Sequence, residues 1–283
     1  MILLKKAADL HNWLEIQQKK GKMIGFVPTM GALHAGHISL IEASQKGNSI
    51  TVCSIFINPA QFNDPSDFDK YPTTLEKDIY QLEAIDCDVL FLPSVKEIYP
   101  DATSTKTKYD LGYLDTILEG KYRPGHFQGV CKAVHRLLEI VKPDRLYLGQ
   151  KDYQQCMVIK KLIGLIGMSG VIEVVISPTL READGLAMSS RNLRLLKNER
   201  RKAAAIFRSL NMIKQNFQKE DFSAVKNKAE LLLAENGFTT DYIEIADAGN
   251  LQLVDKRDGK QKLVALIAAS LNEVRLIDNM LLD

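Results

Sequence analysis

The sequence predicts an α/β protein: a parallel sheet covered by helices in an N-terminal domain, then a smaller α+β C-terminal domain. Three observations carry this prediction. Between residues 23 and 176, short continuous apolar runs alternate with amphipathic helical stretches, and each run stops at Pro or Gly. Continuous apolar runs mark strands covered on both faces, and connections of helical length require parallel pairing. Beyond Pro178 the pattern changes to helices followed by strands with hairpin turns.

In chain order, the strand-like runs are Met23–Val27, Ser49–Ile57, Asp88–Leu92, Arg145–Leu148 and Val171–Ile176. Between them, a helix covers Ile38–Ala43 after a Gly-rich turn. Thr73-x-x-Glu76 reads as a capping box, with Leu75, Ile79, Leu82 and Ile85 on one helical face. Val130, Val134, Leu137, Leu138 and Val141 mark another helix, and Met157–Ile166 a further one. After Pro178, helices are expected over Asn198–Phe217 and Phe222–Glu235, and strands over Asp241–Ala246, Lys262–Ala269 and Val274–Ile277. Asp258-Gly259 and Leu271-Asn272-Glu273 read as hairpin turns. The expected division is therefore 1–177 and 178–283.

Composition narrows the function classes. The chain has 283 residues, 46% hydrophobic and 25% charged, with a formal net charge of +2. These values exclude collagen, a disordered tail and a disulfide mini-scaffold, and give no electrostatic footprint for nucleic acid. Cys53, Cys87, Cys131 and Cys156 form no Cys-x-x-Cys and read as buried thiols in a reducing compartment. The N-terminal MILLKK patch lacks a signal-peptide core, and the glycine-broken stretch Leu162–Ile176 is too short to span a bilayer. A cytoplasmic protein without membrane contact is expected.

The strongest chemical signal is Met30-Gly31-Ala32-Leu33-His34-Ala35-Gly36-His37, directly after the first strand and opening a helix. Glycines allow close backbone approach, and free N–H groups at a helix start favour phosphate. Two histidines three apart can hydrogen-bond phosphate oxygens and stabilise charge that grows in a transition state. The pattern is neither Gly-x-Gly-x-x-Gly nor a P-loop. The second signal is Gly185-Leu186-Ala187-Met188-Ser189-Ser190-Arg191-Asn192, where two hydroxyls stand beside a fork-shaped cation. Alone it reads equally as a helix cap. The third is Gly149-Gln150-Lys151-Asp152 with Gln155 beyond it, again after a strand. Lys151 can neutralise phosphate, Asp152 can accept from ribose hydroxyls, and Gln155 is one helical turn from Lys151. The fourth is Asn58-Pro59-Ala60-Gln61, whose amides could orient a small hydroxy acid; alone it reads as an Asx turn. Arg123-Pro124-Gly125-His126 reads either as a border of the site or as a structural turn. Asp78 reads as a solvated helix carboxylate, with a Mg²⁺ contact as the alternative.

His-x-Gly-His and the Met-Ser-Ser-Arg segment together resemble the two signatures of the nucleotidyl-transferase and class I aminoacyl-tRNA synthetase superfamily. VPTMGALHAGHISLI, SIFINPAQF, YPTTLEKD, PSVKEIYP, LEGKYRPGHFQGV, GQKDYQQ, READGLAMSSRN and RLIDN, in that order along nearly the whole chain, resemble the pantothenate synthetase (pantoate–β-alanine ligase) family. The resemblance implies condensation of pantoate with β-alanine at the expense of ATP, through a pantoyl adenylate. It implies a Rossmann-like parallel-sheet N-terminal domain, a smaller α+β C-terminal domain that acts as a lid, Mg²⁺ bound mainly through the ATP phosphates, and a homodimer; no metal-ligating residue is assigned. It places ATP on Met30–His37, on Gly149–Asp152, on the backbone of Leu180 and on Met188–Arg191. It makes His37 a proton donor and places pantoate against Gln61 and Gln155; from their chemistry, His34, His37 and Lys151 are expected to bind the phosphates as charge moves onto pyrophosphate. Gln150 stands where the family often has Glu. No residue identifies itself as a general base for the amine of β-alanine. A nucleotidyltransferase acting on a phosphorylated acceptor is the competing enzyme class, and would need a basic acceptor site where this chain has FINPAQF. A nucleotide sensor or RNA-binding module is the non-enzymatic rival, opposed by the balanced charge and the intact His34, His37, Lys151 and Arg191.

Overall fold

A computed structural model describes residues 1–63, 65–100 and 107–282. The chain forms two compact units, one of Met1–Gly149 with Val158–Pro178, the other of Gln150–Met157 with Thr179–Asp283.

The first unit is built on six parallel strands. These are β1 (Ile2–Leu4), β2 (Ile24–Thr29), β3 (Ile50–Ile55), β4 (Val89–Phe91), β5 (Arg145–Gly149) and β6 (Glu173–Ser177), in the order β1-β4-β3-β2-β5-β6. The inner strands β3 and β4 are buried at every residue, as continuous β-branched and aromatic runs require. The helices that cover the sheet include α1 (Ala7–Lys19), α2 (Ala35–Gly47), α3 (Leu75–Ala84) and α4 (His126–Val141). Val27, Ile41, Cys53, Leu82 and Leu90 pack into one cluster where α2 and α3 meet the sheet. The division between units falls within α5 (Tyr153–Leu165).

Several local expectations are corrected. β2 does not stop before Pro28 but runs through it to Thr29, with Pro28 aligned to Ser54. β1 adds a strand that the sequence pattern does not mark; three residues are too few to show a period. The Thr73-x-x-Glu76 box does not form. The N-cap of α3 is Thr74, without a side-chain cap bond, and its hydroxyl is donated to Asp78 Oδ1 at 2.9 Å.

The second unit contains three antiparallel strands, β7 (Phe238–Asp247), β8 (Leu263–Leu271) and β9 (Val274–Leu281), in that order. Helices α6 (Ala205–Asn216) and α7 (Phe222–Glu235) share a core with one face of this sheet, through Leu210, Ile213, Val225, Leu233, Ile243 and Ile267. The helix expected over Asn198–Phe217 is two, Lys197–Ala203 and α6, broken at Ala204. Asn272 takes φ 51 in the β8–β9 hairpin, a left-handed position Asn tolerates. Asp258-Gly259 closes no two-residue hairpin. It is a turn inside the long 248–262 connection, where Asp258 accepts from the N–H groups of Lys260 and Gln261.

Candidate active site

The sheet order of the first unit reverses between β2 and β5, which end at Thr29 and Gly149. Open α/β sheets bind ligands beyond the carboxyl ends of strands at such a reversal. Met30–Leu33 leaves β2 there and is fixed by one carboxylate. Asp78, 1% exposed, accepts from Ala32 N and Leu33 N at 2.8 Å each, and from Thr74 Oγ1. It is therefore not the solvated group the sequence suggested. Thr29 Oγ1 donates to Ser54 O at 2.8 Å and accepts from Gly31 N at 3.2 Å. These contacts hold Ala32 at φ 48, a left-handed conformation that costs a non-glycine residue about 1–3 kcal/mol.

The two histidines cap α2. His34 Nδ1 accepts from Gly36 N at 3.2 Å, and His37 Nδ1 accepts from His34 N at 3.4 Å. Their ring centroids are 4.0 Å apart. A ring nitrogen that accepts carries no proton, so each ring carries its N–H at Nε2. The cap thus leaves both imidazoles as Nε2 donors at the positive end of a helix.

Gln61 and Asn58 lie in the turn after β3. Gln61 Nε2 is 2.7 Å from Met30 Sδ, so two expected site residues meet. Asn58 is 1% exposed, and both its donors and both its acceptor positions are used. Nδ2 donates to Gln61 Oε1 and Gly129 O, at 3.1 and 3.0 Å. Oδ1 accepts from Ala60 N and Tyr99 Oη, at 3.1 and 2.8 Å. Asn58 is thus engaged in holding Gln61. Gly129 allows α4 to approach this turn, since a Cβ there would sit 2.0 Å from Ala60 O.

Sequence reasoning left His126 open; the structure gives it a place. His126 Nδ1 lies 2.7 Å from Gln61 O and Nε2 lies 3.3 Å from Arg123 Nη1. A carbonyl only accepts and a guanidinium only donates, so Nδ1 carries the proton. Glu119 Oε2 stands 3.8 Å from Arg123 Nη1. Glu119 and Asp78 are buried acids that spacing alone did not mark as site residues; their signal is a carboxylate on a helix side that packs inward.

The second unit holds the remaining candidates. Gln150–Asp152 form one 3₁₀ turn, with Lys151 Nζ 3.5 Å from Asp152 Oδ1, and Gln155 follows, half-buried, in the first turn of α5. Residues 180–188 fold back on themselves. Met188 N donates to Leu180 O at 3.0 Å and Glu182 N to Leu186 O at 2.8 Å, which brings Leu180 beside Met188. Gly185 makes the turn at φ +88, where a Cβ would meet the Phe207 ring at 1.9 Å. Ser189 Oγ accepts from Arg191 N at 3.3 Å and caps the 3₁₀ turn Ser190–Arg194. Ser190 is 8% exposed.

A family model described as pantoate–β-alanine ligase matches residues 2–281. The chain belongs to the pantoate–β-alanine ligase family. It is accordingly an enzyme of this class, a ligase that forms pantothenate from pantoate and β-alanine. It is 41% identical to the pantothenate synthetase of Caldicellulosiruptor bescii over 286 residues, covering 100% of this chain and 99% of that protein. It is 43% identical to that of Bacteroides fragilis, with 96% and 95% covered. Among solved structures, pantothenate synthetase from Thermus thermophilus aligns with a TM-score of 0.90 at 37% identity, covering 99% of each chain. The Francisella tularensis pantoate–β-alanine ligase, complexed with β-γ ATP and β-alanine, aligns with a TM-score of 0.80 at 38% identity, covering 99% of this chain and 97% of that one.

Proposed function

We propose that the enzyme uses ATP to activate pantoate as an adenylate before β-alanine attacks. The observation that carries this reading is the histidine cap of α2, which sets two Nε2 donors at a helix N-terminus where the sheet order reverses.

A carboxylate is a poor acyl donor because its leaving group is an oxide. Adenylation replaces that leaving group with AMP. Pantoate's carboxylate attacks the α-phosphorus, the bond to the β-phosphate oxygen breaks, and pyrophosphate leaves. The amine of β-alanine then attacks the acyl carbon and AMP departs. Neither step needs a protein nucleophile, so positioning and charge stabilisation carry the rate. His34, His37 and Lys151 take the phosphate oxygens as charge moves onto pyrophosphate, with His37 also a proton donor. Met30–His37, Gly149–Asp152 and Leu180 line the nucleotide. Met188, Ser189, Ser190 and Arg191 grip the triphosphate, the second unit serving as a lid. Gln61 and Gln155 hold pantoate, and Asn58 serves by fixing Gln61.

Mg²⁺ enters with ATP. Among the described residues no group of three His, Cys, Asp or Glu is placed to hold a metal. Mg²⁺ usually keeps several waters and binds through substrate phosphates, so in this reading the ATP phosphates carry it. When bound it neutralises phosphate charge. The resemblance also supports a homodimer. The four cysteines, free and buried, support a cytoplasmic, reducing setting. Among the described residues no helix is long and apolar enough to cross a membrane.

The test is single-turnover release of pyrophosphate from ATP and pantoate without β-alanine. Loss of one donor costs roughly 10²–10³ in rate, so His37→Ala and Lys151→Ala should each slow the step by that factor. Rates within about threefold of the parent would remove both residues from this role. AMP release that depends on added amine separates the ligase from a nucleotidyltransferase.

A further inference from the structure

We propose that Asn279, on the edge strand β9, is the positioning residue for Lys151, and that its neighbour Asp278 fixes the 180–191 segment in the same way. This deepens the reading above and rests on it, since Lys151 and Ser189–Arg191 are the groups that would grip ATP.

The strand's alternation sets up the arrangement. Val274, Leu276, Met280 and Leu282 belong to the cluster shared with the helices. With a period of two, Asp278 falls on that face and Asn279 on the other. An Asp-Asn pair inside an apolar strand is a burial penalty unless every polar atom is engaged. Both residues are buried, at 4% and 2% exposure.

On its face Asp278 receives a two-pronged contact from Arg181, Nη1 to Oδ2 at 2.6 Å and Nη2 to Oδ1 at 3.1 Å. Arg181 Nη1 also donates to Gly185 O at 3.1 Å, and the guanidinium lies 4.7 Å from the centre of the Phe207 ring. The fold-back that presents Leu180, Met188 and the serines is thereby anchored to β9. Burial pushes the Asp278 carboxyl up, while Arg181 and the N–H of Asn279 pull it back.

On the opposite face Asn279 Nδ2 donates to Gln150 O at 2.9 Å and to Lys151 O at 2.8 Å. Its Oδ1 accepts from Gln150 Nε2 at 3.3 Å. One amide therefore orients two successive peptide planes of the 150–152 turn, which fixes the direction in which Lys151 leaves the backbone. A lysine has a long flexible stem, so the aim of its root decides how often its ammonium reaches a given oxygen. Arg181 Nη2 also donates to Asn279 O, at 3.2 Å, which joins the two anchors. Asn279 needs no contact with ATP in this role.

The experiment is a double-mutant cycle with Asn279→Ala and Lys151→Ala in the full-length enzyme. Single-turnover pyrophosphate release and KM for each substrate are measured, with circular dichroism as a folding check. Asn279→Ala should slow pyrophosphate release about 10- to 100-fold while KM for β-alanine stays unchanged. The double variant should be no slower than Lys151→Ala alone, because Asn279 acts only through Lys151. If Lys151→Ala is impaired but Asn279→Ala is within about threefold of the parent, the positioning role is wrong and the ATP reading stands. Multiplied effects in the double variant overturn it too. If Lys151→Ala is itself at the parent rate, Lys151 has no role at the phosphates and this inference falls with it, while ATP-dependent activation by the other donors stands. Should Asn279→Ala not fold, Asn279→Ser, which keeps one donor, is taken through the same cycle with the same outcomes.

Discussion

Asp78 shows how a single carboxylate can set a loop that carries chemistry. It accepts from two consecutive peptide N–H groups and one hydroxyl, so an amide in its place would present N–H against N–H. Asp78→Asn should therefore leave a buried donor unpaired and lower stability by about 1–3 kcal/mol in urea unfolding. It should also slow pyrophosphate release, since Ala32 and Leu33 lead directly into His34. Unchanged stability would show that the loop holds itself. The sequence offered this aspartate as a solvated side chain, because partners some 45 residues away leave no mark on local periodicity. His34 and His37 were legible for the opposite reason. Their spacing, the glycines around them and the strand before them are all local. Their Nδ1 contacts to the backbone, which decide where each proton sits, were not.

Among the elements, the fold-back at 180–188 depends on Gly185. Its φ of +88 and the Phe207 ring leave no room for a Cβ. Gly185→Ala should cost about 1–3 kcal/mol in overpacking, with a further cost for the left-handed backbone, and should weaken binding of an ATP analogue in calorimetry. A stability within about 0.5 kcal/mol of the parent would contradict that packing. Element types were well marked in the sequence, and bounds less so. α7 occupies Phe222–Glu235 as its apolar spacing indicated. The break at Ala204 escaped because that residue keeps a right-handed helical backbone, φ −62 and ψ −9, among consecutive buried alanines, and so barely disturbs a helical period. β1 and the distant closure of the 248–262 connection depend on pairing with other strands, which a linear pattern does not record.

For the molecule as a whole, alternation of strands and helices dictated parallel pairing, yet not the order β1-β4-β3-β2-β5-β6. That order places the histidine cap at the reversal point, and it depends on which strands pair, which alternation along the chain does not specify. Grouping of Gln150–Met157 with residues 179–283 was likewise invisible, since it depends on contacts from β9 to a turn more than a hundred residues earlier. The proposed homodimer belongs to this scale. Light scattering should give a particle of about twice the 31.7 kDa chain mass, and a monomer across micromolar concentrations would remove it.

The buried sulfurs have a use beyond packing. Burial pushes the Cys53 thiol up, that of Cys87 to about 11 and that of Cys131 to about 12. The thiolate is the form that reacts with alkylating reagents, so capture in the native protein must wait for transient opening. Cys53, Cys87 and Cys131 lie in the first unit and Cys156 in the second. Peptide-resolved alkylation is thus a pair of natural stopwatches, timing how often each half of the enzyme breathes without any added label.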